Sequence, residues 1–203
     1  MKRMIIPLLM VMIAPFICFS QVVENIDYIS PFNENVAAIK KGNAWAFIDT
    51  SGKILTDFRD DVVATKNGED EYPIFKNDRC LISQKKDGID YFGYIDKTGK
   101  TVIEPQFLNA TPFENNVAVA LKLTEEVLGE NNILDKKVVS YKYFEVVIDK
   151  QGDVKNYLDL KGTAVALDKK YLYKPPVILR HLISENLYTY MDRNKKWVIE
   201  KIE

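Results

Sequence analysis

One phrase recurs along this chain. Trp45-Ala46-Phe47-Ile48-Asp49-Thr50-Ser51-Gly52-Lys53 returns as Phe92-Gly93-Tyr94-Ile95-Asp96-Lys97-Thr98-Gly99-Lys100, then more loosely as Glu145-Val146-Val147-Ile148-Asp149-Lys150-Gln151-Gly152-Asp153. A worn copy follows in Tyr188-Thr189-Tyr190-Met191-Asp192-Arg193-Asn194-Lys195-Lys196. A copy every few tens of residues makes the chain an array of one small unit, which constrains architecture far more than activity.

The phrase is a β-hairpin written in side chains. An aromatic and β-branched run stops at Asp, passes two polar residues, reaches Gly and resumes with apolar residues. Asp at the first turn position can accept a backbone N–H two residues on, and Gly at the fourth can take positive φ without a Cβ clash. That is a type I turn followed by a glycine bulge, a favoured link between antiparallel strands. In the last copy Asn194 is expected near the glycine position.

A second phrase precedes each hairpin: Phe32 to Ile39, Phe75 to Ile82, Phe113 to Ala120, and more weakly Gly162 to Leu167. Its content is an aromatic anchor, a polar turn and a short strand of small residues. Ala37, Cys80, Ala118 and Ala164 fall at or beside the small position, where backbones of neighbouring units should approach. Each unit then reads as strand, connection, strand, turn, strand.

An aromatic, Ala or Gly, an aromatic, Ile-Asp, two residues and Gly-Lys, followed by Pro-x-Phe-x-x-Ala-x-x-Phe, resembles the WG-repeat family of bacterial proteins. Tyr94 through Pro105 and Phe107, continuing to Ala110, Phe113 and Val117-Ala118-Val119, carries the likeness best. Trp45-Ala46 keeps the tryptophan of the namesake pair, Phe92-Gly93 keeps the glycine, and Glu145-Val146 keeps neither. The resemblance covers residues 28 to 153 well and 158 to 199 poorly. It implies repeated β-units with no common catalytic centre.

Period-two apolar runs recur in Val117 to Leu123 and Tyr141 to Ile148, whereas sustained spacing at three and four is absent. The chain is therefore expected to be all-β: about four β-hairpin repeats of three short antiparallel strands each, in an open curved stack, with propeller-like closure as the alternative. The units are approximately 28–57, 72–105, 107–156 and 158–203, within a domain spanning 21–203. The connection inside each unit varies while the turns stay fixed: Ala38 to Ile48 is 10 positions, Leu81 to Ile95 is 14, Val119 to Ile148 is 29 and Val165 to Met191 is 26. Insertions in repeat proteins tend to project from one face, often the one where partners dock. The third, Leu123 to Lys142, reads as an extended hairpin with a polar tip; the fourth holds Pro175-Pro176, which excludes a central strand there.

Met1-Lys2-Arg3, an apolar run from Met4 to Phe19 and Ser20-Gln21 have the grammar of a signal peptide over 1–20, with Gln21 as the mature start. Pro7 and Pro15 interrupt the run, which is short for a membrane span. Pro15-Phe16-Ile17 ahead of Cys18 is the wrong neighbourhood for lipid attachment. Export places the protein in the periplasm, at the cell surface or outside the cell. The whole chain has 28 basic and 29 acidic side chains. Losing Lys2 and Arg3 leaves 26 against 29, a balance that argues against nucleic acid held by bulk charge.

No catalytic, cofactor-binding or metal-ligating residue is assigned. His181, the single histidine, sits in Val177 to Ile183, read as a strand with alternating faces. Ser184 or Ser140 could complete a triad only on paper, without a Gly-x-Ser-x-Gly elbow. Cys80 takes an inward position, fitting a structural thiol rather than a nucleophile. One mature Cys and one His fall short of a zinc site, and Asp49, Asp96 and Asp149 stand alone in their turns, as caps do. A row of aromatics, if exposed, would suit a glycan or peptide groove. The expectation is an exported, non-enzymatic scaffold binding a protein or glycan through the third and fourth insertions, with an envelope hydrolase or lyase, or a purely structural protein, as alternatives.

Overall fold

The computed structural model describes residues 23–131, 136–165, 172–184 and 186–202, and every regular element among them is a strand. The leader expected over 1–20, Cys18 and the very tip of the third insertion lie outside these residues. A first sheet joins β1 (Tyr28–Ile29), β2 (Val36–Lys41) and β3 (Ala44–Asp49) in that order. A small hairpin follows, β4 (Thr65–Asn67) with β5 (Asp70–Tyr72). The central sheet runs β11-β10-β9-β8-β7-β6, built from β6 (Cys80–Lys86), β7 (Ile89–Ile95), β8 (Thr101–Ala110), β9 (Val117–Asn131), β10 (Lys136–Asp149) and β11 (Val154–Tyr157). β12 (Thr163–Ala164) adds to the edge of β10, and β13 (His181–Ser184), β14 (Leu187–Met191) and β15 (Trp197–Lys201) form the last sheet. All pairings are antiparallel, as hairpin repeats require.

The second and third units share one sheet because β8 serves both. Its first half pairs with β7 and its second half with β9. Pro105 within β8 has no N–H to give, and the β7–β8 pairing slips beside it at Gly93. A Cβ built on Gly93 would lie 2.3 Å from the Ile103 carbonyl oxygen, so the glycine of the phrase exists to let β8 cross.

The Asp-x-x-Gly turns form as their sequence dictates. The Asp Oδ1 accepts two backbone N–H groups in each: from Ser51 and Lys53 at Asp49, from Thr98 and Lys100 at Asp96, from Gln151 and Asp153 at Asp149, all at 2.9–3.1 Å. Asp192 does the same with Asn194 and Lys196, both at 2.8 Å. The positive φ of the fourth turn belongs to Lys195 (58°), not to Asn194, so the side chain most tolerant of that conformation is one place early. The turns preceding β2, β6 and β9 are a second kind, with two successive positive φ values at Glu34-Asn35, Asn77-Asp78 and Asn115-Asn116. This is the type I′ geometry that matches strand twist, and Asn and Asp tolerate it best after Gly.

The first three units join through the same contacts each time. Phe47 meets Phe75 edge-on at 4.7 Å and 69°; Tyr94 meets Phe113 at 4.7 Å and 66°. Here the strand aromatic of one unit packs on the anchor aromatic of the next. Gly99 lies against Thr56, and Gly152 against Ile103, the corresponding position one unit later. The I′ turns also lock together: Glu34 accepts the N–H of Asn77 (2.6 Å) and Asp78 (3.0 Å), and Asn77 Oδ1 accepts that of Asn116 (2.7 Å). Lys97 bridges Glu34 and Asp78, and Lys150 also reaches Asp78. Such exposed pairs contribute little individually, so their role is register.

Each inner sheet is buried on both faces, which is why its strands read as nearly continuous apolar runs. Val36 and Ala38 enter the core shared with Phe75, Cys80 and Ile82, while Ala37 and Ile39 face Val23 and Ile26. Ala118 and Ala120 face Tyr94 and Phe113, while Val119 and Leu121 face the fourth unit. In the first three units the aromatic face of the phrase looks toward the following unit. The fourth sheet is turned over: Tyr188 and Tyr190, the equivalents of Phe92 and Tyr94, pack back onto the third unit with Leu158 and Val147. Met191, standing where Ile48, Ile95 and Ile148 are buried, is exposed.

Two local readings change. Ala164 is exposed on the two-residue strand β12, so its place is not that of Ala37 and Ala118; the strand that plays their part in the last sheet is β13. The strand expected over Val177 to Ile183 begins only at His181, because Leu179 and Arg180 direct their N–H groups to the Glu145 carboxylate instead of a neighbouring strand.

Candidate functional site

Polar and exposed apolar groups converge at the junction of the third and fourth units. Glu145 occupies the tryptophan position of the phrase and is buried in β10. Its Oε1 accepts the N–H of Leu179 and its Oε2 is held by Arg180 Nη1 at 2.6 Å. The Arg180 guanidinium lies 5.1 Å from the Tyr190 ring centre, and its Nε has no hydrogen-bond partner. Tyr190 and Tyr188 both donate their hydroxyls to Glu200. Burial, with the Glu200 carboxylate beside it, pushes Tyr188 up to about 12. The two tyrosine hydroxyls hold Glu200 below the usual carboxylate range.

Arg180, Tyr188 and Glu200 of this cluster line one side of a groove of about 740 Å³, with Lys201 and Ile202, and residues 155–161, from β11 onward, line the other. Lys155, Lys161 and Lys201 line it with Tyr157 and the exposed Leu160. The two carboxylates that line the groove are both hydrogen-bond acceptors, Asp159 from the Lys161 N–H and Glu200 from the two tyrosine hydroxyls.

The third insertion is an extended hairpin. β9 and β10 stay paired from Val117↔Asp149 to Asn131↔Lys136, with a bulge beside Val138. Beyond Leu123 the β9 side chains through Gly129 are exposed, and Val127, Leu128 and Val138 present apolar surface near the end. The fourth connection instead lies down on the sheet: Leu172 and Ile178 enter the third-to-fourth core, and Asn109 Nδ2 donates to the Pro176 carbonyl at 2.8 Å.

His181 is exposed at the start of β13, and no hydrogen bond joins it to Ser184 or Ser140. Cys80 is wholly buried, and burial pushes its thiol well above the ordinary value. Among the described residues no three His, Cys, Asp or Glu side chains gather as metal ligands. Of the phrase aromatics, Trp45, Phe47, Phe92, Tyr94 and Tyr188 are buried, Tyr91, Tyr143, Phe144 and Tyr190 half-buried, and Trp197 exposed. The Glu145–Arg180 pair was legible only as an oddity, a charge where the phrase wants an aromatic.

Residues 22–45 and 92–122 match the family described as WG containing repeat. These two segments are similar to that repeat. No curated protein and no solved structure matches the chain. The first match takes in β1, β2 and the start of β3, and the second runs from Phe92 within β7 through β8 to Lys122 in β9. The unmatched fourth sheet is the one that is turned over. No helix among the described residues is long and apolar enough to cross a membrane.

Proposed function

We propose that this chain is an exported, non-enzymatic scaffold of the bacterial envelope or exterior, whose stacked WG-type repeats hold the third hairpin and the fourth connection against a protein partner. The observation that carries this is the distribution of exposed apolar surface. Exposed large hydrophobics are scattered in the first unit (Ile29, Phe32, Ile54, Phe58) and absent among the described residues from Arg59 to Glu126, whereas Val127, Leu128 and Val138 on the hairpin and Tyr173, Val177 and Leu179 on the connection are all exposed, with Leu160 just ahead of the connection. Contiguous apolar surface rimmed by polar groups is where proteins dock. A protein fits better than a glycan, because the exposed groups are mostly aliphatic and the repeat aromatics are largely covered. Catalysis finds little support in a lone surface histidine and two carboxylates already engaged.

The reading is tested by excising Glu126 to Ser140, joining Glu125 to Tyr141 through Asn-Gly, and comparing this variant and Leu179→Ser with the intact chain as bait in envelope extract. A partner should be retained by the intact chain and lost by both variants while their circular dichroism stays native. Equal retention by all three would remove the assignment. Export is checked by cell fractionation with N-terminal sequencing, which should begin at Gln21.

A further inference from the structure

β15 is an open edge that is also sticky on its face. Asp192 N–H donates to the Lys196 carbonyl, and Ile202 N–H to that of Asn186. The intervening β14–β15 pairs alternate, so residues 196, 198, 200 and 202 direct their backbone groups to β14. Trp197, Ile199 and Lys201 direct theirs outward, where no described residue pairs with them. The same three place their side chains on the outer face of the sheet, where Trp197 is 64% and Ile199 63% exposed, with Met191 opposite Trp197 on β14.

Comparison within the molecule shows that this edge lacks the protection its relatives have. Lys196-Trp197-Val198-Ile199-Glu200-Lys201 repeats Lys100-Thr101-Val102-Ile103-Glu104-Pro105. There Ile103 is buried, the strand carries a proline, and its continuation is covered by β9. The free edge of β6 is covered in its middle as well, since Val63 N–H donates to Leu81 O and Ser83 N–H to Asp61 O. β15 has no proline, and it pairs with β14 in continuous register from Trp197 to Lys201, without a bulge.

We propose that a second copy of this chain pairs with β15 antiparallel about a two-fold axis at Ile199. Outward-facing residues can hydrogen-bond only with outward-facing residues, so the axis passes at Val198, Ile199 or Glu200. The axis at Glu200 sets Glu200 against its own copy, an unfavourable like-charge pair. The axis at Val198 runs Lys201 past the partner strand into its turn. Only the axis at Ile199 uses all three outward residues on both copies, pairing Ile199 with Ile199 and Trp197 with Lys201. That places an ammonium beside an indole on the same face, a favourable cation–π arrangement. Val198 then opposes Glu200, with no like charges facing. The dimer does not depend on the proposed partner-binding surface.

The test is the mass of the full chain carrying Cys18→Ser, in mild detergent so that the apolar segment 4–19 does not itself associate. Light scattering should give twice the chain mass at about 100 µM. Ile199→Pro removes only an outward N–H, which an edge strand tolerates, and should return the protein to monomer with unchanged circular dichroism. Under mild oxidation Ile199→Cys should cross-link to its copy, the Cα separation of a hydrogen-bonded pair suiting a disulfide, while Glu200→Cys should not. A monomer at that concentration, a dimer indifferent to Ile199→Pro, equal cross-linking at both positions, or a ladder of masses beyond the dimer from head-to-tail contacts would each overturn the proposal.

Discussion

At the scale of residues, the chain separates those that bend it from those that join it. Gly99 must hold φ of +84° while a Cβ there would press on Thr56 at 3.0 Å, so Gly99→Val should cost roughly 1–3 kcal/mol. A urea unfolding curve indistinguishable from the parent would contradict that turn. Glu145→Ala strands Arg180 beside a vacated site; removing one partner of a largely buried pair costs about 3 kcal/mol. Glu145→Leu with Arg180→Met should recover much of the loss, a double-mutant cycle that separates pairing from packing. Tyr188 supplies a pH signature. Its proton is held more tightly in the fold than in the unfolded chain, so its contribution is complete below pH 10 and lost as pH rises through about 12. Tyr188→Phe should lessen the loss of stability across that window without abolishing it, since Tyr94 and Tyr190 are raised as well. The turn residues were readable from sequence because their chemistry is local, lying within four positions of each Asp. Glu145 and Arg180 are 35 residues apart, and only the folded junction brings them together.

Elements follow the same division. The hairpins and the paired strands of the third insertion could be read ahead, since alternation and turn residues specify a hairpin without reference to anything outside it. The sharing of β8 between two units could not, because the strand looks like the end of one repeat and becomes the start of the next only when Gly93 and Pro105 let it shift. β13 was read too long for a related reason: the apolar run through Val177 to Leu179 satisfies strand propensity, yet a buried carboxylate captures its backbone. The hairpin beyond Leu123 contributes little to the core, so excising Glu126 to Ser140 should move the unfolding free energy by no more than about 0.5 kcal/mol. A collapse of the midpoint in chemical denaturation would show that the projection is part of the core.

Across the whole molecule, stability is a chain of equivalent joints, as in other repeat arrays. Removing one half of a joint should therefore cost what a buried aromatic costs: Phe75→Ala or Phe113→Ala should lower stability by about 3–5 kcal/mol, measured by equilibrium unfolding with tryptophan fluorescence. Trp45 lies in the first joint and Trp197 on the last sheet, so the Phe75 variant should shift the Trp45 signal at least as far as that of Trp197. The open stack of hairpins was expected from the recurrence itself. The reversal of the fourth sheet was not, because a turned sheet and an upright one have the same alternation and differ only in which set of side chains meets the neighbour. That reversal bears on how such a protein can lengthen. Each upright unit offers a receptive aromatic face to its successor, so a duplicated unit could be accommodated inside the row. The fourth unit has spent that face on its predecessor, and a further copy laid against it would meet the opposite face, with Met191, Trp197 and Ile199, instead of the one the joints use. A duplicated unit would therefore keep the existing joints only if it entered the row ahead of the turned sheet.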